Sequence, residues 1–323
     1  MASGMQCPAC GSGRCAEVWQ AGDRLFRTTA ETFRMRRCAA CGVLFLAPPP
    51  RPEDLARYYP ETYWTGAACR DGGGTLRRRL ANRYRRAVLR SHVRFVSRVV
   101  AEQRQRGVRV RLLDVGCGDG SVLEALGVPS AVGLDSAPGA VRATRARGLD
   151  AVRGTLVARP FRPASFSLVT MFHVLEHVPD VTPHLEAVWG LLQDGGDLVV
   201  QVPNAASWQG RCLGERWAGF DVPRHLVNYP PRVLRCLLGR HGFAVVRTTQ
   251  LCLRDNTALL ASSLLPGLYP PARAARRQAE APLAAWARDL AFLAATLAAL
   301  PVTLVESLVG RGATIMVHAR RAA

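Results

Sequence analysis

One glycine-rich segment, Asp114-Val-Gly-Cys-Gly-Asp-Gly120, constrains the fold of this chain more than any other feature. It follows the apolar run 109–115 and precedes a segment from Ser121 to Leu126 whose composition suits a helix. Glycines at alternate positions let the backbone turn sharply and approach a ligand closely. The segment therefore predicts a strand–turn–helix unit with a ligand-binding turn at the carboxyl end of the strand.

Downstream of this turn, apolar strand-like runs alternate with helix-like segments. Strands alternating with helices favour a mostly parallel sheet that is covered on both faces. With the strand at 109–115 this makes a seven-stranded α/β sheet, whose last two strands would form an antiparallel pair at one edge. The predicted strands cover 131–134, 151–152, 166–172, 197–202, 243–249 and 313–319, and the predicted helices cover 139–147, 184–192 and 230–241.

The carboxylates around the turn indicate which ligand it binds. Asp114 precedes the first glycine and Asp119 lies between the last two, so the turn is poorly suited to a pyrophosphate. It suits a cationic ligand that carries an amino acid, such as S-adenosylmethionine (SAM), whose ammonium group needs acceptors. Asp135 ends the second strand, at the distance from the turn where an acid hydrogen-bonds the ribose hydroxyls of a nucleotide.

Four stretches of this region resemble the class I SAM-dependent methyltransferases. They are Leu113-Asp-Val-Gly-Cys-Gly-Asp-Gly120, Val132-Gly-Leu-Asp-Ser136, Phe166-Ser-Leu-Val-Thr-Met-Phe-His-Val-Leu-Glu-His-Val-Pro-Asp180 and Gly196-Asp-Leu-Val-Val-Gln-Val-Pro-Asn204. The resemblance covers about 109–249 and the last strand. It implies a Rossmann-like seven-stranded sheet, mostly parallel with the last strand antiparallel, and SAM as the methyl donor.

The resemblance also implies which residues contact the cofactor. Gly116 and Gly118 would lie beneath it, Asp135 at its ribose, Thr155 and Leu156 beside its adenine. The full predicted set is Asp114, Gly116, Gly118, Asp119, Asp135, Ser136, Thr155, Leu156, Phe172, His173 and His177. Two departures bear on it: Ser167 stands where the family often has an aspartate, and no acid stands near 155.

The amino-terminal segment 1–47 carries two matching motifs, Cys7-Pro-Ala-Cys10-Gly and Cys38-Ala-Ala-Cys41-Gly. Two pairs of thiolates make a closed tetrahedral site, which is the pattern of structural zinc. We therefore predict a zinc ribbon with these four ligands. Substitution of one ligand by Cys15 stays open, as do an iron–sulfur or redox role and unligated core cysteines.

Histidines in two loops are candidates for acid–base chemistry. His173-Val-Leu-Glu176-His177 falls where the fourth strand of the predicted sheet ends, the edge at which open parallel sheets bind ligands. Asp221-Val-Pro-Arg-His225-Leu-Val-Asn-Tyr229 follows the fifth strand and would line an acceptor pocket. We take His225 as the first candidate base and His173 as the second. A metal held by the first motif and a purely supporting role for the histidines stay open.

Three functions remain in competition. The cysteine motifs, Leu-Glu-His and Pro-Arg-His-Leu together resemble a subgroup of methyltransferases associated with sugars, cell-surface polysaccharides or secondary metabolites. We therefore expect a small-molecule, sugar or glycan acceptor. An RNA methyltransferase is the alternative, and a non-catalytic SAM-binding or partner protein is a third. The net charge of +19 is compatible with nucleic acid, although the chain contains no lysine and the basic stretch lacks interleaved aromatic residues.

The remaining segments are a connector and an insertion. Residues 48–108 begin with a proline-rich linker and continue as an arginine-dense helical stretch that Gly72-Gly73-Gly74 interrupts. Residues 250–312 are rich in Ala and Leu and predict one or two helices, which would pack on the sheet or a second subunit, or contact a membrane peripherally through 281–310. Because Met1 to Cys10 lacks the apolar core of a signal peptide, we expect a cytoplasmic protein, with peripheral contact at the inner membrane face open and the oligomeric state unassigned.

Overall fold

The computed structural model of this chain describes residues 6–60, 63, 75–276 and 281–322. Its strands are β1 (Cys15–Gly22), β2 (Thr32–Cys38), β3 (Leu44–Leu46), β4 (Leu112–Val115), β5 (Ala131–Asp135), β6 (Asp150–Arg153), β7 (Phe166–Phe172), β8 (Leu192–Pro203), β9 (Val227–Asn228), β10 (Phe243–Thr249) and β11 (Thr314–Arg321). Its helices are α1 (Pro52–Leu55), α2 (Thr75–Gln105), α3 (Ser121–Leu126), α4 (Pro138–Ala146), α5 (Thr182–Leu191), α6 (Trp208–Leu213), α7 (Pro231–Arg240), α8 (Leu253–Leu264), α9 (Pro270–Ala275), α10 (Pro282–Ala298) and α11 (Leu300–Leu308).

The main sheet has seven strands in the order β10-β11-β8-β7-β4-β5-β6. Strands β4 to β8 pair in parallel, and β11 runs antiparallel to both of its neighbours, β8 and β10. This confirms the predicted α/β fold, the mostly parallel sheet and the antiparallel last strand. Strand β4 is buried along its whole length and β7 along all but its last residue, because helices cover both faces of the sheet.

The cysteine-rich segment forms a second sheet that is not confined to residues 1–47. Its order is β1-β2-β3-β9, and β9 belongs to the loop that follows the fifth strand of the main sheet. Leu44 pairs with Asn228 and Phe45 with Val227. Buried side chains of the segment, including Met35 and Phe45, join one apolar cluster with those of the main sheet. The small sheet therefore packs as an extension of the methyltransferase-like core.

The connector and the insertion pack against each other. Helix α2 forms most of the arginine-dense stretch that we expected to be helical, whereas the interruption at Gly72 to Gly74 lies outside the described residues. The insertion forms four helices, α8 to α11, rather than the one or two that we expected. Helix α8 packs against α2 and against both α10 and α11. Residues from the connector and the insertion therefore meet near the carboxyl ends of β7 and β8.

Candidate cofactor and acceptor site

The glycine turn between β4 and α3 has the backbone conformation that its sequence predicts. Gly116, Gly118 and Gly120 all have positive φ, at 69°, 55° and 75°. A Cβ at Gly116 would lie 2.6 Å from Cγ2 of Val174, and one at Gly120 would lie 3.0 Å from Thr144. Both the conformation and the close approach require glycine at these positions.

Asp114 and Asp135 lie next to the glycine turn. The Asp114 carboxylate is buried and accepts a hydrogen bond of 2.6 Å from Oγ1 of Thr170. Burial, reinforced by the nearby Asp135, raises the pKa of Asp114 to about 7. Asp135, at the end of β5, accepts hydrogen bonds from the amides of Gly118 at 3.1 Å and Ala137 at 2.8 Å. The ribose-binding candidate is thus tied directly to the glycine turn.

The other predicted cofactor residues occupy different positions around this turn. Asp119 accepts hydrogen bonds from Ser121 and pairs with Arg147 at 2.8 Å, so its carboxylate holds the start of α3 and the pairing disfavours it as an acceptor for a ligand ammonium. Ser136 and Thr155 are exposed, whereas Leu156 is buried in the apolar cluster beside β5 and β6. Phe172 and His173 lie at the end of β7, next to β4.

His173 is held between two carboxylates. Its φ is 56°, its Nδ1 lies 3.0 Å from Oε1 of Glu176, and its Nε2 lies 3.5 Å from Oδ2 of Asp255. Burial works against a charged ring, but the hydrogen bonds with Asp255 and Glu176 outweigh it and raise the pKa of His173 to about 10. A ring that already carries a proton at neutral pH cannot accept another, so this geometry disfavours our second candidate base.

His225 has a different environment. Its Nδ1 lies 2.8 Å from the carbonyl oxygen of Gly219 and therefore donates to it, which leaves Nε2 as the acceptor nitrogen. Nε2 lies 4.0 Å from Oε1 of Glu176, and the ring contacts that of His177 with centroids 4.7 Å apart. Burial and the adjacent His225 lower the pKa of His177 to about 4. The structure therefore brings His225 together with the predicted motif at the end of β7.

Arg224, beside His225, is the centre of a buried ionic network that the sequence did not reveal. Its guanidinium pairs with Asp23 at 2.7 Å and with Asp221 at 2.7 Å, and it also donates to the carbonyl oxygen of Tyr58. Tyr63 in turn donates to Asp221 at 3.0 Å. The ring of Phe26 lies 4.5 Å from the guanidinium. Residues of the cysteine-rich segment and the connector therefore fix the loop that carries His225.

A second polar cluster that the sequence did not reveal surrounds Asp255. Its Oδ2 accepts hydrogen bonds from Nε2 of Gln201 at 2.6 Å and Sγ of Cys252 at 3.1 Å, and lies 3.2 Å from Nε2 of His92. These residues come from α2, β8 and the insertion. In the sequence these residues are visible only as polar positions within apolar stretches. Such a pattern does not predict which of the side chains contact one another.

The four predicted zinc ligands converge at one end of the small sheet. Sγ of Cys7 lies 3.6 Å from that of Cys41, Sγ of Cys10 lies 3.6 Å from that of Cys38, and all four sulfurs lie within 4.8 Å of one another. Sulfurs at about 2.3 Å from a tetrahedral zinc would be about 3.8 Å apart. The donor set and its spacing therefore fit a zinc ion. The Cys15 thiol instead donates to the carbonyl oxygen of Ser12 at 3.3 Å.

Curated proteins similar to this chain include two bacterial enzymes named ubiquinone biosynthesis O-methyltransferase. The protein of Xanthomonas campestris pv. campestris (strain B100) is 30% identical over 161 residues, which make up 46% of this chain and 66% of the relative. The protein of Xylella fastidiosa (strain 9a5c) is 35% identical over 133 residues, which make up 37% of this chain and 53% of the relative. The matched part of the chain thus spans less than two thirds of these relatives.

Solved structures of similar fold include a SAM-dependent methyltransferase from Thermotoga maritima. It is 17% identical, with a TM-score of 0.42, and the alignment covers 65% of this chain and 82% of that one. A family model described as a methyltransferase domain matches residues 79–248, a little more than half of the 323 residues. The match contains the glycine turn, Asp135, the end of β7 and the loop of His225, and the chain belongs to this methyltransferase family.

Proposed function

We propose that this SAM-dependent methyltransferase methylates a hydroxyl group of a small-molecule, sugar or glycan acceptor, with His225 as the general base. The observation that carries the proposal is the position of Nε2 of His225. It is the acceptor nitrogen of a ring fixed by Gly219, and it faces the Glu176 carboxylate at the same end of the sheet as the glycine turn.

The residues around His225 suit the transfer of a methyl group to a hydroxyl oxygen. SAM supplies an electrophilic methyl group on a sulfonium. The acceptor oxygen forms the new C–O bond while the methyl–sulfur bond breaks, and the hydroxyl proton passes to Nε2 of His225. Glu176, 4.0 Å away, would stabilise the resulting imidazolium. Oε2 of Glu176 is buried and has no hydrogen-bond partner among the described residues. A polar group of the bound acceptor would donate the missing hydrogen bond.

The named relatives support the same class of reaction. Their name specifies O-methyl transfer in ubiquinone biosynthesis. Because the match covers less than two thirds of their length, we carry over only the type of transfer, to a hydroxyl of a small molecule. We specify the acceptor only by its class, as a small molecule, sugar or glycan.

Two measurements test this proposal. Calorimetry with zinc-loaded protein should show SAM binding, and Asp135→Ala should abolish it. His225→Gln should keep SAM affinity and lower the rate of methyl transfer to a hydroxylated acceptor by about 10²–10⁴-fold, as expected for loss of a general base. Absence of SAM binding would refute the proposal. An unchanged rate in His225→Gln would remove His225 as the base.

RNA remains a second candidate acceptor because of one feature of α2. Arg90, Arg94 and Arg98 are exposed at intervals of four residues, so they lie on one face of the helix. Such a row could follow RNA phosphates. Filter binding at increasing salt distinguishes the candidates: an RNA enzyme would bind in a salt-dependent way, and Arg94→Gln would reduce the slope.

We also propose that Cys7, Cys10, Cys38 and Cys41 hold one structural zinc ion. The support is the fit of four sulfurs to a tetrahedral site, together with Gly11 and Gly42, whose positive φ completes the turn after each pair. A closed site of four thiolates leaves no position for substrate. The zinc ion would hold the small sheet against the loop of His225.

A further inference from the structure

The most unusual surface of the described chain is the face of α10 and α11. Leu283–Leu308 form a helical stretch of 26 residues, long and apolar enough to cross a membrane, and its most apolar window of 18 residues has a mean hydropathy of 1.8. Yet only 17% of its most apolar window is buried. An amphipathic helix of a soluble domain normally buries its apolar stripe against the core. Here the apolar side chains face outward.

The exposed side chains are large and lie along the whole stretch. Two of them, Leu283 and Leu308, are 76% and 80% exposed at opposite ends. Several large exposed apolar side chains on neighbouring helices mark a candidate interaction site. The large exposed apolar residues are Leu283, Trp286, Leu290, Leu297, Val302, Leu304, Val305, Leu308 and Val309. We call this set the α10–α11 face.

The helical stretch lies along the domain instead of projecting from it. Both α10 and α11 pack against α8, and β11 returns from the end of α11 into the main sheet, between β10 and β8. A stretch of 26 residues is about 39 Å long. Because its two halves rest on the same helix, it cannot cross a bilayer while the sheet stays intact. Its apolar face is instead placed to lie flat on a surface.

The charges on and near the α10–α11 face point to an anionic surface. The two acids of the stretch are compensated: Asp289 pairs with Arg273 at 2.7 Å, and Glu306 is buried and accepts hydrogen bonds from Gln209. Arg311, just after α11, is exposed. The chain as a whole carries a net charge of +19. Cationic proteins are attracted to anionic lipid.

Two tryptophans lie near the ends of the stretch. Trp286, in the first turns of α10, is 62% exposed. Trp208, at the start of α6, is 41% exposed, and its amide donates to the carbonyl oxygen of Arg311, just after α11. Exposed tryptophan beside arginine is typical of the boundary between lipid tails and headgroups.

We propose that the α10–α11 face docks in the plane of an anionic lipid surface. The apolar side chains enter the boundary between headgroups and acyl chains, and the exposed Arg311 meets the lipid phosphates. This inference concerns the insertion and does not depend on the acceptor proposed above.

Flotation of the full-length, zinc-loaded protein with vesicles tests the proposal. We expect the protein to bind vesicles of phosphatidylcholine that contain about 30% of the anionic lipid phosphatidylglycerol. It should bind vesicles of phosphatidylcholine alone more weakly. The double variant Leu283→Glu/Trp286→Glu should lose at least about tenfold in binding. Both residues are exposed, so folding should be unaffected. Val246→Glu, which alters a 46% exposed residue on the edge strand β10, is the matched control and should bind as the unmodified protein does.

Two results would overturn the proposal. One is equal binding of the double variant and the Val246→Glu control to the anionic vesicles. The other is a dimer that covers the α10–α11 face: light scattering would show a dimer for the unmodified protein and a monomer for the double variant, and the unmodified protein would fail to float. A monomer that floats only with anionic vesicles would support it.

Discussion

The guanidinium of Arg224 and the carboxylate of Asp23 form a bidentate ion pair, with nitrogen–oxygen distances of 2.7 and 2.9 Å, and both side chains are fully buried. Asp23 belongs to the cysteine-rich segment, and Arg224 adjoins the candidate base His225. The same loop is also held by pairing of β3 with β9. The cysteine-rich segment therefore fixes the loop that carries the candidate base, although the segment contributes none of the proposed reacting groups.

Replacing Asp23 tests this coupling. Asp23→Asn leaves the buried Arg224 charge with Asp221 as its remaining carboxylate partner, and breaking a buried pair costs about 3 kcal/mol of the free energy of unfolding. We expect that loss in urea unfolding, together with a lower rate of methyl transfer and unchanged SAM affinity. Glu31→Gln, which breaks the exposed pair with Arg57, should leave the free energy of unfolding almost unchanged. An Asp23→Asn protein of normal stability and rate would contradict the coupling.

The glycine turn allows a matched pair of alanine variants. Gly116 and Gly127 both have positive φ, but only at Gly116 would a Cβ approach another residue, Val174, at 2.6 Å. Gly127→Ala should therefore cost about 1 kcal/mol of stability from backbone strain alone and keep SAM affinity. Gly116→Ala should in addition displace the turn and weaken SAM binding at least about tenfold, a loss of 1.4 kcal/mol or more. Calorimetric titration of both variants checks this, and equal affinities would refute a role for Gly116 at the cofactor.

Local patterns were sufficient to predict the main sheet and the glycine turn. Strand β7 is mostly apolar, and its predicted bounds, Phe166–Phe172, are those observed. The turn is recognisable because the backbone there requires glycine at three alternate positions. The paired cysteines were also recognisable, because a metal site of this kind draws its ligands from two short motifs. Each of these signals lies within a few residues of sequence.

The sequence did not reveal contacts between distant segments. Asp23 and Arg224 are 201 residues apart and pair because β3 adds to β9. Asp255 lies 82 residues from His173 and reaches it because α8 packs near the end of β7. Neither acid has a local pattern that distinguishes it from a surface carboxylate. Only the packing shows that His173 lies between two carboxylates, an arrangement that disfavours it as a base.

Metal analysis tests the proposed zinc site. Purified protein should contain one zinc per chain, and Cys38→Ser should lose it, because three remaining thiolates close the site poorly. The small sheet should then loosen, and thermal unfolding should begin at a lower temperature. Cys15→Ser is the matched control: Cys15 neighbours the site but its thiol donates to Ser12, so this variant should keep its zinc. Loss of zinc from Cys15→Ser, or its retention in Cys38→Ser, would show that the ligand set is different.

The charge on His173 makes the stability of the protein depend on pH in a predictable direction. The pKa of His173 rises from an ordinary value of about 6.5 in the unfolded chain to about 10 in the fold. The stabilisation that this histidine provides is therefore complete below pH 6.5 and is lost as the pH rises towards 10. We expect the difference in unfolding free energy between the unmodified protein and His173→Gln, measured in urea, to shrink steadily from pH 6.5 to pH 9.5.

His184 provides the control for this measurement, since burial lowers the pKa of His184 below its ordinary value. The difference between the unmodified protein and His184→Gln should thus stay constant above pH 7. Proton titration by NMR should show His173 still charged at pH 8. If His173 loses its proton near pH 6.5, Glu176 and Asp255 do not stabilise the charged ring. His173 would then again be a candidate for the base.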